Sequence, residues 1–224
     1  MVLASLISGG CKPRLQSSAF VVLGLGIAMC GCTHVEGQQK SEPSAEQSTD
    51  TAPSAVVIGP EDGDHLWVFA ESKDELGSGG EFHIYVDPVR FPEASASFAK
   101  FGLGVGGALP VHRHDKTEEI GYFLSGEGVV TVYEDGSAKD IPVRAGHVVY
   151  IPPGSWHTIK NTGQAPFTLV FATIPNEKKG LLSFFRRIGV KPGEEATPLS
   201  PDDDDFARLA AEHDLILRPP DTAK

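Results

Sequence analysis

The chain has 224 residues, which is long enough for one sizeable domain with extensions at its ends. Its formal net charge of −11 and its pI of about 5.1 argue against a surface that binds nucleic acid or an anionic membrane. The three cysteines, Cys11, Cys30 and Cys32, all precede residue 33. The rest of the chain therefore has no internal disulfide, cysteine-ligated zinc or thiol nucleophile.

The first 32 residues have the pattern of an export signal. Lys12 and Arg14 precede an uncharged apolar run of eleven residues, which is too short to span a bilayer comfortably and suits a signal peptide. The run leads into Met-Cys-Gly-Cys-Thr, which resembles a bacterial lipoprotein cleavage box with Cys32 as the lipidated residue and Cys30 as a weaker acceptor.

We therefore predict a signal peptide and lipoprotein anchor over residues 1–32. The implied location is extracytoplasmic and membrane-anchored, on a periplasmic face or at the cell surface. A plain secretory signal and an apolar N-terminal helix of a cytoplasmic protein are the alternatives.

Residues 33–55 differ sharply in composition from the rest. Ser, Thr, Glu, Gln, Pro and Ala dominate, so the segment cannot bury enough apolar surface to fold. We predict a flexible, disordered tether, the expected companion of a lipid anchor.

Residues 56–175 show the pattern of many short β-strands. Runs rich in β-branched and aromatic residues alternate with clusters of Gly, Pro and Asp. The main predicted strands are AVVIG (55–59), HLWVFA (65–70), EFHIYV (81–86), SFAKFGLG (97–104), GVVTVYEDG (128–136), AKDIPVRAG (138–146), 148–151 and 166–174. Two of them form a hairpin closed at Asp135-Gly136. His65 and His83 are interpreted as surface or satisfied core residues. The strand spacing predicts a sandwich or barrel.

Three candidate metal ligands follow one another between residues 106 and 126. His112 and His114 are two residues apart, so both side chains leave the same face of a strand. Glu119 comes five residues after His114, which leaves room for a short turn and a returning strand.

A fourth candidate ligand, His157, follows a Pro-Pro-Gly turn. Two imidazoles from one strand, a carboxylate from the next and an imidazole from a later hairpin would make a compact site of mixed nitrogen and oxygen ligands. Such a set suits Fe(II), Mn, Co, Ni, Cu or Zn.

These two stretches resemble the two sequence motifs of the cupin superfamily at every fixed position. The positions are Gly106, His112, His114, Glu119 and Gly126, then Gly146, Pro152, Gly154, His157 and Asn161. The resemblance implies an all-β fold, the cupin double-stranded β-helix or jelly-roll barrel. It also implies a divalent transition metal held by His112, His114, Glu119 and His157. A polar network of the same side chains without metal is the alternative, and it is costly to desolvate.

Strand alternation predicts the side chains that face the cavity. If Glu119 points inward, then Gly121 and Phe123 share its face, and the same rule from His157 turns Ile159 inward. A glycine beside a metal ligand leaves room for an exogenous molecule, or marks a bulge.

Residues 176–224 leave the β pattern and predict a C-terminal helical extension. Apolar residues recur at helical spacing from Leu181 to Ile188, with Gly189 placed to end that helix. A second helix is predicted after Pro201, where four consecutive aspartates favour a helix N-terminus. These helices resemble the tails of some quercetin-dioxygenase-like cupins, which pack on the outer face of the barrel.

The ligand set points to a functional metal. Three imidazoles and one carboxylate leave one or two coordination positions open, which is typical of a catalytic site. The resemblance favours an enzyme, most of all one that carries out a dioxygenase-like oxidation of a small chelating substrate. Glu119 is the candidate catalytic residue, because a carboxylate beside a cation is a workable base. A non-catalytic small-molecule or metal-binding and sensing module, and a metal-dependent isomerase, are the alternatives. Cupins often form homodimers, and no nucleic-acid partner is expected.

Overall fold

The computed structural model describes residues 54–195 and 203–218. The predicted signal peptide and lipid anchor, with Cys32, lie outside the described residues, as does the predicted tether up to residue 53. No helix in the described part is both long and apolar enough to cross a bilayer.

The described part of the chain is built mainly from antiparallel strands in two sheets. The strands are β1 (Asp64–Val68), β2 (Gly80–Val86), β3 (Ser97–Leu103), β4 (His112–Arg113), β5 (Glu118–Ser125), β6 (Glu127–Glu134), β7 (Ser137–Arg144), β8 (Val148–Ile151), β9 (His157–Asn161), β10 (Phe167–Ile174) and β11 (Ile216–Leu217). The first sheet has the order β1-β2-β3-β10-β5-β8, and the second has the order β11-β4-β9-β6-β7. This arrangement confirms the predicted all-β jelly roll.

Phenylalanine side chains from the first sheet fill much of the core between the sheets. Strand β10 illustrates the reason. Its residues alternate strictly between buried and half-buried, so every second side chain points into the core. Phe82 and Phe101 lie on neighbouring strands with their ring centroids 4.6 Å apart, and each is at most 4% exposed. Burying such large rings contributes several kcal/mol, at about 25 cal/mol per Å² of apolar surface.

One predicted hairpin is confirmed and one predicted strand is wrong. β6 and β7 pair along their full length around the two-residue turn Asp135-Gly136, whose φ angles are both positive. AVVIG (55–59) forms no strand. Val56 and Val57 are 64% and 95% exposed, so their β-branched side chains have nothing to pack against, and strand preference depends on such packing.

The two predicted C-terminal helices are confirmed. α1 (Leu181–Ile188) is followed by its C-cap Gly189. α2 (Asp204–Glu212) is preceded by its N-cap Asp203, whose carboxylate accepts a hydrogen bond from the backbone N–H of Asp205.

The predicted position of the helices on the outer face of the barrel is wrong for α1. Leu181 and Phe185 turn inward and line the cavity between the sheets, where the Phe185 ring stacks on the core residue Phe82 at 4.1 Å. After α2, the chain adds β11 to the edge of the second sheet beside β4. The C-terminal extension is therefore integral to the fold around the site, because it closes one side of the cavity and extends one sheet.

Candidate metal centre

The four predicted ligands converge between the two sheets. His112 on β4 lies directly opposite His157 on β9 in the second sheet, and Glu119 reaches them from β5 in the first. Oε2 of Glu119 lies 3.6 Å from Nε2 of His114 and 3.3 Å from Nε2 of His157. One ligand atom from each of the four residues lies within 4.8 Å of all the others. We call these four residues the metal centre.

Backbone carbonyls fix the orientation of all three imidazoles. Each ring places Nδ1 within hydrogen-bond distance of one carbonyl oxygen: His112 of Pro110 at 2.7 Å, His114 of Asp214 at 2.8 Å and His157 of Ser155 at 2.9 Å. A carbonyl only accepts hydrogen bonds, so Nδ1 carries the proton in each ring and Nε2 presents its lone pair. This second-layer hydrogen bond is the one that metal-ligating histidines usually make.

The donor set fits a divalent transition metal. Nε2 of His114 has no hydrogen-bond partner in the described part of the chain, although its side chain is only 1% exposed. A buried lone pair without a donor is costly, and a cation would satisfy it together with the other two imidazoles and the carboxylate.

The protonation states also suit a metal. Burial and the neighbouring imidazoles of His157 and His114 lower the pKa of His112 to about 3, so this ring stays neutral. Burial opposes the charge on Glu119, but its interactions with His114 and His157 outweigh burial and lower its pKa. Burial likewise opposes the charge on His114, but the Glu119 carboxylate and the Asp214 carbonyl more than compensate and raise its pKa. A bound metal would displace any proton taken up by Nε2 of His114, because a ligating imidazole must be neutral.

Acid is expected to destabilise the metal-free protein through His112. Its pKa in the folded state lies below the ordinary 6.5, so the unfolded chain takes up the extra proton as the pH falls. The raised pKa of His114 changes the free energy of unfolding above pH 6.5, and the lowered pKa of Glu119 changes it below the ordinary pKa of 4.5. Neither shift therefore dominates between these two pH values. From pH 6.5 to 4.5 the free energy of unfolding should therefore fall by about 2 kcal/mol more in the wild type than in H112Q. Urea unfolding of both metal-free proteins measures this, and equal losses would contradict it.

Asp214, between α2 and β11, supports the centre from a distant part of the chain, and the sequence reasoning missed it. Its backbone adopts a positive φ of 60°, and its carbonyl faces His114 as described above. Its carboxylate accepts hydrogen bonds from the backbone N–H groups of Asp115, Lys116 and Thr117 and from the Thr117 hydroxyl, at 2.8–3.1 Å. Asp214 thus orients His114 through its backbone carbonyl and stabilises the turn that leads to Glu119 through its carboxylate.

A small apolar cavity of about 80 Å³ adjoins the centre. Its walls come from both sheets and from α1, and they include Gly121 and Ile159, both predicted to face inward. A Cβ on Gly121 would lie 3.0 Å from Val149 Cγ1 and 3.1 Å from Leu169 Cδ1. A Cβ here would crowd both side chains by a few tenths of an ångström, so glycine lets this part of the wall pack closely beside the metal centre.

The comparisons with known proteins agree with this geometry. A family model described as a cupin domain matches residues 100–173. An oxalate-binding protein of Thermotoga maritima is 41% identical over 66 residues, which are 30% of this chain and 51% of that protein. A 3-hydroxyanthranilate 3,4-dioxygenase of Xanthomonas campestris pv. campestris is 32% identical over 96 residues, 42% of this chain and 54% of that protein. The chain thus spans about half the length of these relatives.

Among solved structures, that of a predicted oxalate decarboxylase from Thermotoga maritima is similar to this chain. It is 26% identical, with a TM-score of 0.45, and the match covers 54% of this chain and 99% of that chain.

Proposed function

Because this chain belongs to the cupin superfamily, we propose that it is a metal-dependent enzyme that oxidises a small chelating molecule with dioxygen. The observation that carries the proposal is the position of the metal centre. His112, His157 and Glu119 form part of the wall of a cavity that is otherwise almost entirely apolar. A bound metal would supply a Lewis-acid and redox-active position there, and the apolar walls would exclude water from it.

The cavity walls favour a substrate that binds through the metal itself. Among the described residues that line the cavity, none is Lys or Arg, and the polar ones are His112, Glu119, His157 and Thr158. The Thr158 hydroxyl already donates to the Leu109 carbonyl at 2.5 Å. An anionic substrate would therefore be held by two oxygen donors on the metal, with its apolar atoms against the walls.

The cavity volume limits the size of that substrate. A volume of about 80 Å³ holds a few water molecules or a compact organic molecule. A flavonol-sized molecule would require α1 to move, since Leu181 and Phe185 close that side. Small β-diketones and dicarboxylates are the chemical classes that fit.

Glu119 has two proposed roles. Its lowered pKa makes it an ionised ligand first. It is also the carboxylate placed to accept a proton from an acidic enol bound beside it, which gives it the catalytic role predicted from the sequence.

A second candidate function is reversible binding without turnover. The Thr158 hydroxyl favours this binding function, because it already donates its hydrogen bond to the Leu109 carbonyl. The described side chains of the cavity wall then offer a substrate no free polar group outside the metal centre for acid–base chemistry. The relative named as an oxalate-binding protein is consistent with this class of ligand.

Oxygen consumption tests the two functions against each other. Metal-free protein would be loaded separately with Fe(II), Mn, Co, Ni, Cu or Zn, then mixed with acetylacetone, oxalate or 3-hydroxyanthranilate. We expect oxygen uptake with at least one redox-active metal, and its loss in H114Q. Calorimetry on the same samples measures binding. Binding without oxygen uptake would support the binding function. If no combination of metal and substrate gave either binding or oxygen uptake, both functions would be contradicted.

We further propose that the protein is extracytoplasmic and lipid-anchored through Cys32. The support is the sequence pattern alone, an apolar run that ends in Met-Cys-Gly-Cys-Thr. Metabolic labelling with a palmitate analogue should mark the wild type and the Cys30→Ser variant but not the Cys32→Ser variant. Labelling that persists in Cys32→Ser would contradict the assignment.

A further inference from the structure

Three other potential ligands meet on the outer surface of the first sheet. His65 on β1 lies directly opposite His83 on β2. Phe82 and Ile84 on β2 are buried in the core, so strand alternation turns Glu81 and His83 to the opposite face. We call His65, Glu81 and His83 the outer cluster. It is on the other side of the sheet from the metal centre.

The side chains of the outer cluster already converge on one carboxylate oxygen. Oε1 of Glu81 lies 2.6 Å from Nε2 of His65 and 3.9 Å from Nε2 of His83. The two imidazole rings stack in parallel, with centroids 4.3 Å apart and an interplanar angle of 15°. The indole N–H of Trp67 also donates to Oε1 of Glu81 at 3.4 Å, which orients the carboxylate.

From this geometry we infer that the outer cluster is a second divalent-metal site, selective for late first-row cations such as Cu²⁺ and Zn²⁺. Zn–N bonds of about 2.0–2.1 Å place ligand atoms about 3.3 Å apart in a tetrahedral site. The two distances to Oε1 of Glu81 lie on either side of that value. Rotation of the stacked imidazole rings, so that both Nε2 lone pairs point to one centre, would form the site. Two imidazoles and a carboxylate favour Cu²⁺ most strongly among these cations.

The outer cluster is accessible to solvent, and the charged groups beside it offset each other. The side chains of His65 and Glu81 are 39% and 29% exposed, so solvent or an exogenous ligand can complete the coordination. Glu61 and Lys100 are the other charged groups that act on His83, and their charges oppose each other. The adjacent strands hold the two histidines in register, so little backbone rearrangement is needed for binding.

The proposal is independent of the reaction at the metal centre, and metal titration tests it. Metal-free full-length protein would be titrated with Zn²⁺ and with Cu²⁺, for the wild type, H65Q/H83Q, H112Q/H114Q and the control H147Q, which changes an exposed histidine outside both sets. We expect H65Q/H83Q to bind one equivalent less than the wild type and H147Q. H112Q/H114Q should retain that equivalent. In the H112Q/H114Q background, Cu²⁺ bound to the outer cluster should show nitrogen coupling in its electron paramagnetic resonance spectrum, and adding H65Q/H83Q to that background should remove this signal.

A weaker substitution guards against a folding artefact. E81Q keeps the size of the side chain and removes the charge, and we expect it to weaken the outer equivalent by at least about tenfold, as even supporting residues of metal sites do. Circular dichroism checks that each variant is folded. If folded H65Q/H83Q and E81Q take up both metals with the stoichiometry and affinity of the wild type, the proposal is wrong.

Discussion

Replacing His114 with Gln is expected to abolish tight metal binding at the metal centre. Gln has no nitrogen lone pair to replace Nε2, a fully buried ligand atom that has no hydrogen-bond partner among the described residues. A metal at 100 times its dissociation constant stabilises the wild type by about 2.7 kcal/mol, because it binds the folded state only. For a domain of this size that corresponds to a rise in melting temperature of roughly 5–10 °C. H114Q should show no such rise.

Metal content and melting temperature together test this expectation. Both would be measured after dialysis against a divalent metal at about 100 times its dissociation constant, in the H65Q/H83Q background so that the outer cluster does not add to the count. H147Q in the same background is the matched control, and it should keep one equivalent and the full temperature shift. If H114Q also kept both, the metal centre would not be the binding site.

Local patterns were enough to predict which side chains converge at the candidate metal centre and which neighbours line the cavity. His112 lies on β4 and His114 directly follows the last residue of that strand, and their ligand atoms converge as the two-residue spacing predicted. The same period placed Gly121 on the cavity wall from Glu119, and Ile159 from His157. In each case the deciding relationship lies within a few residues, where backbone geometry alone sets the direction of a side chain.

Relationships between distant segments were not predictable in this way. The apolar spacing of α1 showed that one face had to be buried, but it did not say against which surface, and Phe185 turned out to enter the barrel. His65 and His83 were interpreted as surface or satisfied core residues, because only the pairing of β1 with β2 brings them together around Glu81. Both depend on tertiary packing and strand register, which a single sequence pattern does not contain.

Asp214 is the most important residue whose role depends on a distant segment and was therefore not predicted from the sequence. It lies 100 positions from His114, in a turn after a helix, where an acidic residue with positive φ would ordinarily be read as local turn chemistry. Asp214→Gly is therefore an informative change. Glycine adopts the same backbone conformation without strain and retains the carbonyl that faces His114. The substitution removes the side chain with its carboxylate, and it also makes the unfolded chain more flexible, which the comparison with Asp214→Asn separates.

We expect Asp214→Gly to weaken metal binding by about 10- to 100-fold, the usual effect of losing a group that orients a ligand. Its carboxylate accepts four hydrogen bonds in the turn between His114 and Glu119. Loss of those hydrogen bonds should also lower the free energy of unfolding by about 3 kcal/mol. Asp214→Asn keeps one acceptor oxygen and should fall between the wild type and Asp214→Gly in both properties.

Competition with a chromophoric chelator measures the affinity, urea unfolding measures the stability, and the visible spectrum of bound Co²⁺ reports the coordination geometry. The Co²⁺ spectrum separates the two roles of Asp214. A residue that only stabilises the fold would leave the affinity and spectrum of the folded variant unchanged, whereas a residue that positions His114 and Glu119 must alter both. The positioning role would be refuted if Asp214→Gly unfolded more easily but kept the metal affinity and the Co²⁺ spectrum of the wild type. In that case, the contact between the Asp214 carbonyl and the His114 ring would be enough to orient that ligand.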